Sequence, residues 1–449
     1  MKGVHMLFHL SGQLHHHACR RLLRSASMLL LILSCPVLAF AQDAQGSDTG
    51  SSAPAAQPQP TSDVPRGGLL SEPQFIMKGL NFATSIFGDG GGDGRNGFYP
   101  EFSNMITGSG VISAGPGYRH TVLGGRAFID TSAALSWHLY KMAQARFVFP
   151  ELKDGHLAIG TQTMFQDNTQ VSYFGIGGDA LSAGQTQYRL QTTDVVGWVT
   201  ARPARWLSFG AEVGWLHSPR VMATAGTFNP DFADARVVYA ADPGMSTSDQ
   251  PNFIHSQLSV TADTIDSRSH PTEGGLYRAA MTTYADRSGS AFSFTQYEAE
   301  ALQMVPLVGT RVLLGLRGWT VFSDAADGNQ VPFYLLPFIG GHNTLRSFHN
   351  FQFHDQNTVV ANVEVRFALL THVDLAPFLD AGSVAARYSD LNFGKTSVGL
   401  GLRLHTQRTT FGRLDVAHGS EGWNFVFRTN DPFKLSRVTR KLASVPFTP

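Results

Sequence analysis

Only two of the 449 residues are cysteine, Cys19 and Cys35, and both precede residue 42. Everything after them lacks the means for disulfide or thiol chemistry. Charge of one sign is also missing: 34 basic side chains stand against 34 acidic ones. That balance excludes the basic surplus expected of a nucleic-acid partner. Beyond residue 67 no stretch approaches the ~20 consecutive apolar residues of a membrane-crossing helix. There is no Gly-x-Ser-x-Gly elbow, no convincing acid/base pair and no metal-ligand spacing. No enzyme, metal or cofactor is therefore expected.

The N-terminal region is different in kind. Arg20, Arg21 and Arg24 precede the apolar run MLLLILSCPVLAF (28–40), and Ala39-Phe40-Ala41 fits small-x-small cleavage. The pattern reads as a secretory signal peptide over 1–41, too short to span a bilayer. Cys35 sits in a poor context for lipid attachment, after Ile32-Leu33-Ser34. Residues 42–66, built of Gln, Ser, Pro, Ala and Gly, cannot bury enough apolar surface to fold and read as a disordered periplasmic linker. The other end, 434–449, is a basic tail carrying Lys434, Arg437, Arg440 and Lys441, solvated or near anionic headgroups.

Between these ends the pattern has period two. In 397–405, Val398, Leu400, Leu402 and Leu404 fall on one face and Ser397, Arg403 and His405 on the other. In 359–369, Val359, Val363, Val365 and Phe367 oppose Asn362, Glu364 and Arg366. The same rhythm runs through LSFGAEVGW (207–215), RVLLGLRGW (311–319) and WNFVF (423–427). Alternation alone fits any half-buried antiparallel sheet, including a soluble sandwich. An export signal, ionic residues and glycines on the polar faces, and aromatics near strand ends favour a transmembrane barrel. Lipid offers no hydrogen-bond partners, so a sheet can cross it only by closing on itself. The expected fold is all-β: a transmembrane antiparallel β-barrel over 67–433, of about sixteen strands at roughly 23 residues per strand and turn. Its expected place is the bacterial outer membrane, as a monomer among outer-membrane lipid.

One loop stands out. Arg346 in HNTLRSFHNF (342–351) lies between Leu345 and Phe348. An exposed arginine needs no apolar escort, whereas a buried one needs a partner. Two other candidates are weak. Asp89 and Asp93 in the glycine-rich run 87–97 lack the repeat form of a calcium site. His342, His349 and His354 read as hydrogen-bonding loop residues.

Over 255–434 the ordered run of DTIDSRSHPTEGG (263–275), FYLLPFIGGHNTLRSF (333–348), NVEVRF (362–367), FLDAG (378–382) and GLGLR (399–403), with a closing strand ending in Phe433, resembles the BamA/TamA-type outer-membrane assembly barrels, the bacterial surface antigen family. YFGIGGDALSAGQTQYRL (173–190) extends the likeness upstream. The resemblance implies that the extracellular loop around 321–357 folds into the lumen. Its motif would be Leu345, Arg346, Ser347 and Phe348. Arg346 would pair with Asp380, with Phe348 and Phe378 packed alongside and Gly382 allowing close approach. Glu364 and Arg403 would be the outer members of the cluster. Ser347 stands where the family has glycine, so the loop tip is expected to sit differently. The implied role is insertion or translocation of outer-membrane polypeptides, with a client strand taken at a weak first-to-last seam. Family members with that role usually carry periplasmic receiving domains, for which 42–66 is too short, so the chain would rely on a separate periplasmic partner or have lost the assembly role. The alternative is a passive channel or structural surface barrel.

Overall fold

The computed structural model describes residues 68–70, 73–87, 96–102, 113–225, 231–245, 250–267, 270–406, 409–429 and 431–433. The expected signal peptide, linker, basic tail and the stretch with Asp89 and Asp93 lie outside the described residues.

Among the described residues the main sheet has seventeen strands. One of them, the two-residue Ala233–Asp234, pairs parallel with a longer neighbour. The other sixteen run in chain order as β1 Gly97–Phe102, β2 Ser113–Val122, β3 Ala127–Ser136, β4 Lys141–Leu152, β5 Leu157–Tyr173, β6 Thr186–Ala204, β7 Leu207–Met222 and β8 Phe253–Asp263. They continue as β9 Gly274–Asp286, β10 Phe294–Val308, β11 Val312–Ala325, β12 Asn357–Leu370, β13 Val373–Ala385, β14 Lys395–His405, β15 Thr410–Gly419 and β16 Gly422–Arg428. Each pairs antiparallel with the next, an up-and-down meander. Among the described residues no pairing joins β1 to β16.

The meander is inside-out relative to a soluble protein. On β14, Val398, Leu400 and Leu402 are exposed while Ser397, Arg403 and His405 are buried. On β7, Phe209, Val213 and Trp215 are exposed; on β16, Trp423, Phe425 and Phe427 are. Buried positions hold Asp130, Gln144, Gln162, Asp194, Glu300 and Arg317 instead. An apolar outer face around a polar interior is stable only where lipid surrounds the sheet. The greasy residues thus face the membrane.

Long loops gather at one end, among them 174–185 and 326–356, while the other end has tight turns such as 205–206, 309–311 and 371–372. In bacterial barrels the short turns are periplasmic and the long loops extracellular. At the short-turn end the chain enters along β12, where the Leu69 and Leu70 amides donate to the carbonyls of Ala368 and Leu369 at 3.0 and 2.9 Å. A helix absent from the strand-based reading, α1 Gln74–Phe87, follows it.

Phe433 corrects a second expectation. The closing strand stops at Arg428, so the exposed aromatic that ends it is Phe427. Phe433 is buried with Leu276 and with Leu302 and Met304 from β9 and β10. The chain after β16 therefore folds inward, onto a distant part of the sheet.

Candidate functional site inside the barrel

The loop 326–356 between β11 and β12 is a plug. Phe333, Leu335, Phe338, Ile339, Leu345, Phe348 and Phe353 within it are all buried. Phe333 meets the rings of Tyr173 and Tyr188 from β5 and β6 at 5.1 and 5.0 Å between centroids. Farther along the loop, Ser347 reaches Ser397 of β14, and the Arg346 carbonyl accepts from Asn424 of β16 at 2.8 Å. One loop touching strands that are ten apart in the meander requires the sheet to curl around it.

Arg346 is the centre of the contact. Its Nε and Nη2 donate to the two oxygens of Asp380 at 2.9 and 2.7 Å, a bidentate pair, and its backbone amide donates to Asp380 Oδ2 at 3.1 Å. Nη1 donates to Glu364 at 2.8 Å. The guanidinium carbon stands 3.4 Å from the centroid of the Phe378 ring. Period two puts Phe378, Asp380 and Gly382 on the inner face of β13, and Glu364 beside them on β12. Asn362 donates to Asp380 Oδ1 at 2.8 Å and to the Thr344 carbonyl at 2.7 Å, tying the same carboxylate to the loop backbone.

The network extends well past these residues. Glu364 also accepts from Arg366 Nε at 2.9 Å and from Arg403 Nη2 at 2.7 Å, so it is a hub and not an outer member. Arg403 donates in turn to Asp415, and Arg366 to Asp431 at 2.8 Å. Arg413 donates to the His342 carbonyl at 2.8 Å and to Asn343 Oδ1 at 3.1 Å, holding the loop from β15. Four arginines (346, 366, 403, 413) and four carboxylates (364, 380, 415, 431) are each no more than 2% exposed. Taking one ion out of water costs several kcal/mol, and only close opposite charges offset it. Equal numbers of both signs leave the cluster neutral.

Other expected neighbours sit elsewhere. Phe348 packs on Phe353 at 5.2 Å, in a cluster with Leu345, Trp319, Val360 and Val384, while Phe378 lies against the Arg346 guanidinium. A Cβ at Gly382 would stand 2.5 Å from the Val359 carbonyl oxygen, so the close approach this glycine permits is to β12, not to the loop. Ser347 takes no positive φ and needs no glycine freedom. Its hydroxyl lies 2.6 Å from Ser397 Oγ, and its amide donates to the same oxygen at 3.1 Å.

Charge on the loop is set by burial and neighbours. Burial opposes the Arg346 cation, but Asp380, then Glu364 and Asp415, more than offset it and hold its pKa above the ordinary arginine value. Burial pushes His354 down to about 3. It also holds His342 well below the usual histidine value, with Arg428 and Arg413 adding to the effect. Both imidazoles are neutral in the docked loop. His342 Nδ1 lies 3.0 Å from Asn350 Oδ1, and His354 packs against the rings of Tyr173 and Phe338 at 5.3 and 5.5 Å.

An ion-paired inward loop on a lipid-facing meander is the setting in which comparison with known proteins becomes informative. Residues 207–419 match the family model described as the Omp85 superfamily domain. Those residues carry an Omp85 superfamily domain. The chain is accordingly a protein of the bacterial outer membrane. Among solved structures it resembles BamA from Haemophilus ducreyi lacking POTRA domains 1-3, at 16% identity over 75% of this chain and 70% of that one, with a TM-score of 0.55. It also resembles CdiB from Escherichia coli, at 10% identity over 74% of this chain and 61% of that chain with a TM-score of 0.47. For CdiB from Acinetobacter baumannii the figures are 13%, 74%, 58% and 0.43. No curated protein matches the sequence. The Omp85 match runs from the first residue of β7 to the last of β15 and so includes the plug and all of its ion pairs but those of Asp431.

Proposed function

We propose that this barrel inserts or translocates outer-membrane polypeptides, taking a client strand at the seam between β1 and β16. The observation that carries the proposal is the seam. Among the described residues its two strands, of six and seven residues, are the shortest of the sixteen, and no pairing links them. Backbone groups left without partners in lipid cost several kcal/mol each. An incoming extended segment would satisfy them by strand addition. The plug complements this role, because a barrel filled by Arg346 and its partners is closed to bulk solute while its edge stays available. A separate periplasmic protein would deliver the client, and no catalytic chemistry is needed.

The test is reconstitution into liposomes with an unfolded outer-membrane β-barrel polypeptide as client. The barrel should raise the client's insertion rate over empty liposomes while conducting little in planar bilayers. Steady wild-type conductance with no gain in insertion would establish a passive channel instead.

A further inference from the structure

We propose that the short-turn end of the barrel holds a binding site for one divalent transition-metal ion of the zinc class, formed by His270, Asp374 and His405. The three come from separate elements. His270 lies in the turn between β8 and β9, Asp374 is the second residue of β13, and His405 ends β14. Their spacing in the sequence gives no hint of a site. The β8–β9 turn brings them together by reaching across to the far wall, where His270 Nδ1 stands 3.0 Å from Thr410 Oγ1 of β15. All three side chains are buried, and one donor atom from each lies within 4.8 Å of the others.

The hydrogen bonds around the histidines favour one tautomer for each neutral ring. His405 Nδ1 lies 2.9 Å from the Thr406 carbonyl, which can only accept, so a neutral His405 ring holds its proton on Nδ1 and its lone pair on Nε2. The Thr410 hydroxyl donates to Asp431 at 3.1 Å and so accepts from His270 Nδ1, which again makes Nε2 the lone-pair nitrogen. This outer-shell arrangement, an imidazole N–H held by an oxygen acceptor, is how proteins orient metal-ligating histidines.

The consequence is sharpest at His405. Its Nε2 is buried with no hydrogen-bond partner and faces Asp374 Oδ1 at 3.3 Å. A cation placed between these two atoms would be held by both of them. A tetrahedral ion with bonds of about 2.0–2.1 Å sets its ligands roughly 3.3 Å apart, which fits this pair. Two imidazole nitrogens and a carboxylate oxygen suit Zn²⁺, with Co²⁺ as a spectroscopic substitute. The rings of His270 and His405 are stacked, 3.9 Å between centroids and 10° between planes. Their in-plane lone pairs run side by side, so sharing one ion would require one ring to turn out of the stack. Once bound, the ion would staple the β8–β9 turn to β13 and β14 across the periplasmic mouth.

The experiment uses the whole chain in detergent, stripped with chelator and titrated with Co²⁺ and then Zn²⁺. One Co²⁺ per chain is expected, with the visible spectrum of a tetrahedral site and displacement by Zn²⁺. His270→Gln and His405→Gln should each weaken binding more than about 100-fold, since even outer-shell changes cost 10–100-fold. Folding of each variant is checked by its heat-modifiable mobility on gels. Should a variant not fold, zinc-edge X-ray absorption of the wild type decides the matter: two imidazoles in the zinc shell support the site. A shell of water oxygens alone, no Co²⁺ signal in the wild type, or a signal surviving both substitutions would overturn it.

Discussion

Ser347 and Gly419 share one small space on the barrel wall: a Cβ on Gly419 would stand 2.1 Å from Ser347 Oγ. The residue that replaces the family's glycine in the loop is accommodated by a glycine on β15. Gly419→Ala should therefore push the loop tip off the wall, costing about 1–3 kcal/mol as overpacking does. Ser347→Gly in the same chain should recover part of that loss, because the Thr396 carbonyl, 2.9 Å from the added carbon, still objects. Thermal unfolding of the two variants in detergent measures both effects.

Removing Arg346 leaves Asp380 and Glu364 buried with fewer partners and the cluster with three cations against four anions. Arg346→Ala should cost about 3–5 kcal/mol, the usual result of breaking a buried pair from one side. The loop should then leave the lumen and single-channel conductance should rise. Arg346→Lys should restore only part of the closure, because an ammonium cannot make the bidentate contact with Asp380 or lie flat on Phe378.

Acid should loosen the plug before it unfolds the barrel. His342 and His354 are neutral when docked and take up protons near their ordinary value of 6.5 once released. A depressed pKa in the docked state means full docking strength above pH 6.5 and progressive loss below it, continuing for His354 toward about 3. The loss steepens toward about 1.4 kcal/mol per pH unit, so His354 alone loses about 1.7 kcal/mol between pH 6.5 and 5, and His342 adds to it in the same direction. Protease nicking within 326–356 should increase over that window, and His342→Gln with His354→Gln should flatten the response.

The inward turn after β16 should matter for stability. Phe433 fills a space among Leu276, Leu302 and Met304, while Asp431 accepts from Arg366 at 2.8 Å. Phe433→Ala should cost about 3–5 kcal/mol, as large-to-small changes of a buried aromatic do. The folded band on unboiled gels should then be lost at a lower temperature than in the wild type.

Much of this architecture was legible because lipid and lumen make opposite demands on alternate residues. Val398, Leu400 and Leu402 had to face one medium and Arg403 the other, so period two carries both the strand and its orientation. Arg346 was legible from its apolar escort. Arg366, Arg413, Asp415 and Asp431 were not, because charge balance in a buried cluster depends on distance in space, and Arg366 meets Asp431 across 65 residues of chain. His270 was hidden for the same reason, 140 residues from Thr410. Phe433 misled as a chain-terminal aromatic, since sequence alone does not show that the strand stops at Arg428. Helix α1 was missed because its apolar period is 3.6 over only 14 residues, beside strands that dominate the pattern.

The central claim is that 342–351 is held inside the barrel against β14, and it can be tested with a covalent bond. Both cysteines of the chain precede residue 42, so a Ser347→Cys, Ser397→Cys variant carries a new pair where the two hydroxyl oxygens now stand 2.6 Å apart. That separation suits a disulfide with an S–S bond of about 2.05 Å. Under mild oxidation the folded barrel should close this bond within one chain, leaving neither thiol open to a membrane-impermeant maleimide. If both thiols instead stay reduced and label from outside in the folded protein, the loop is not a plug.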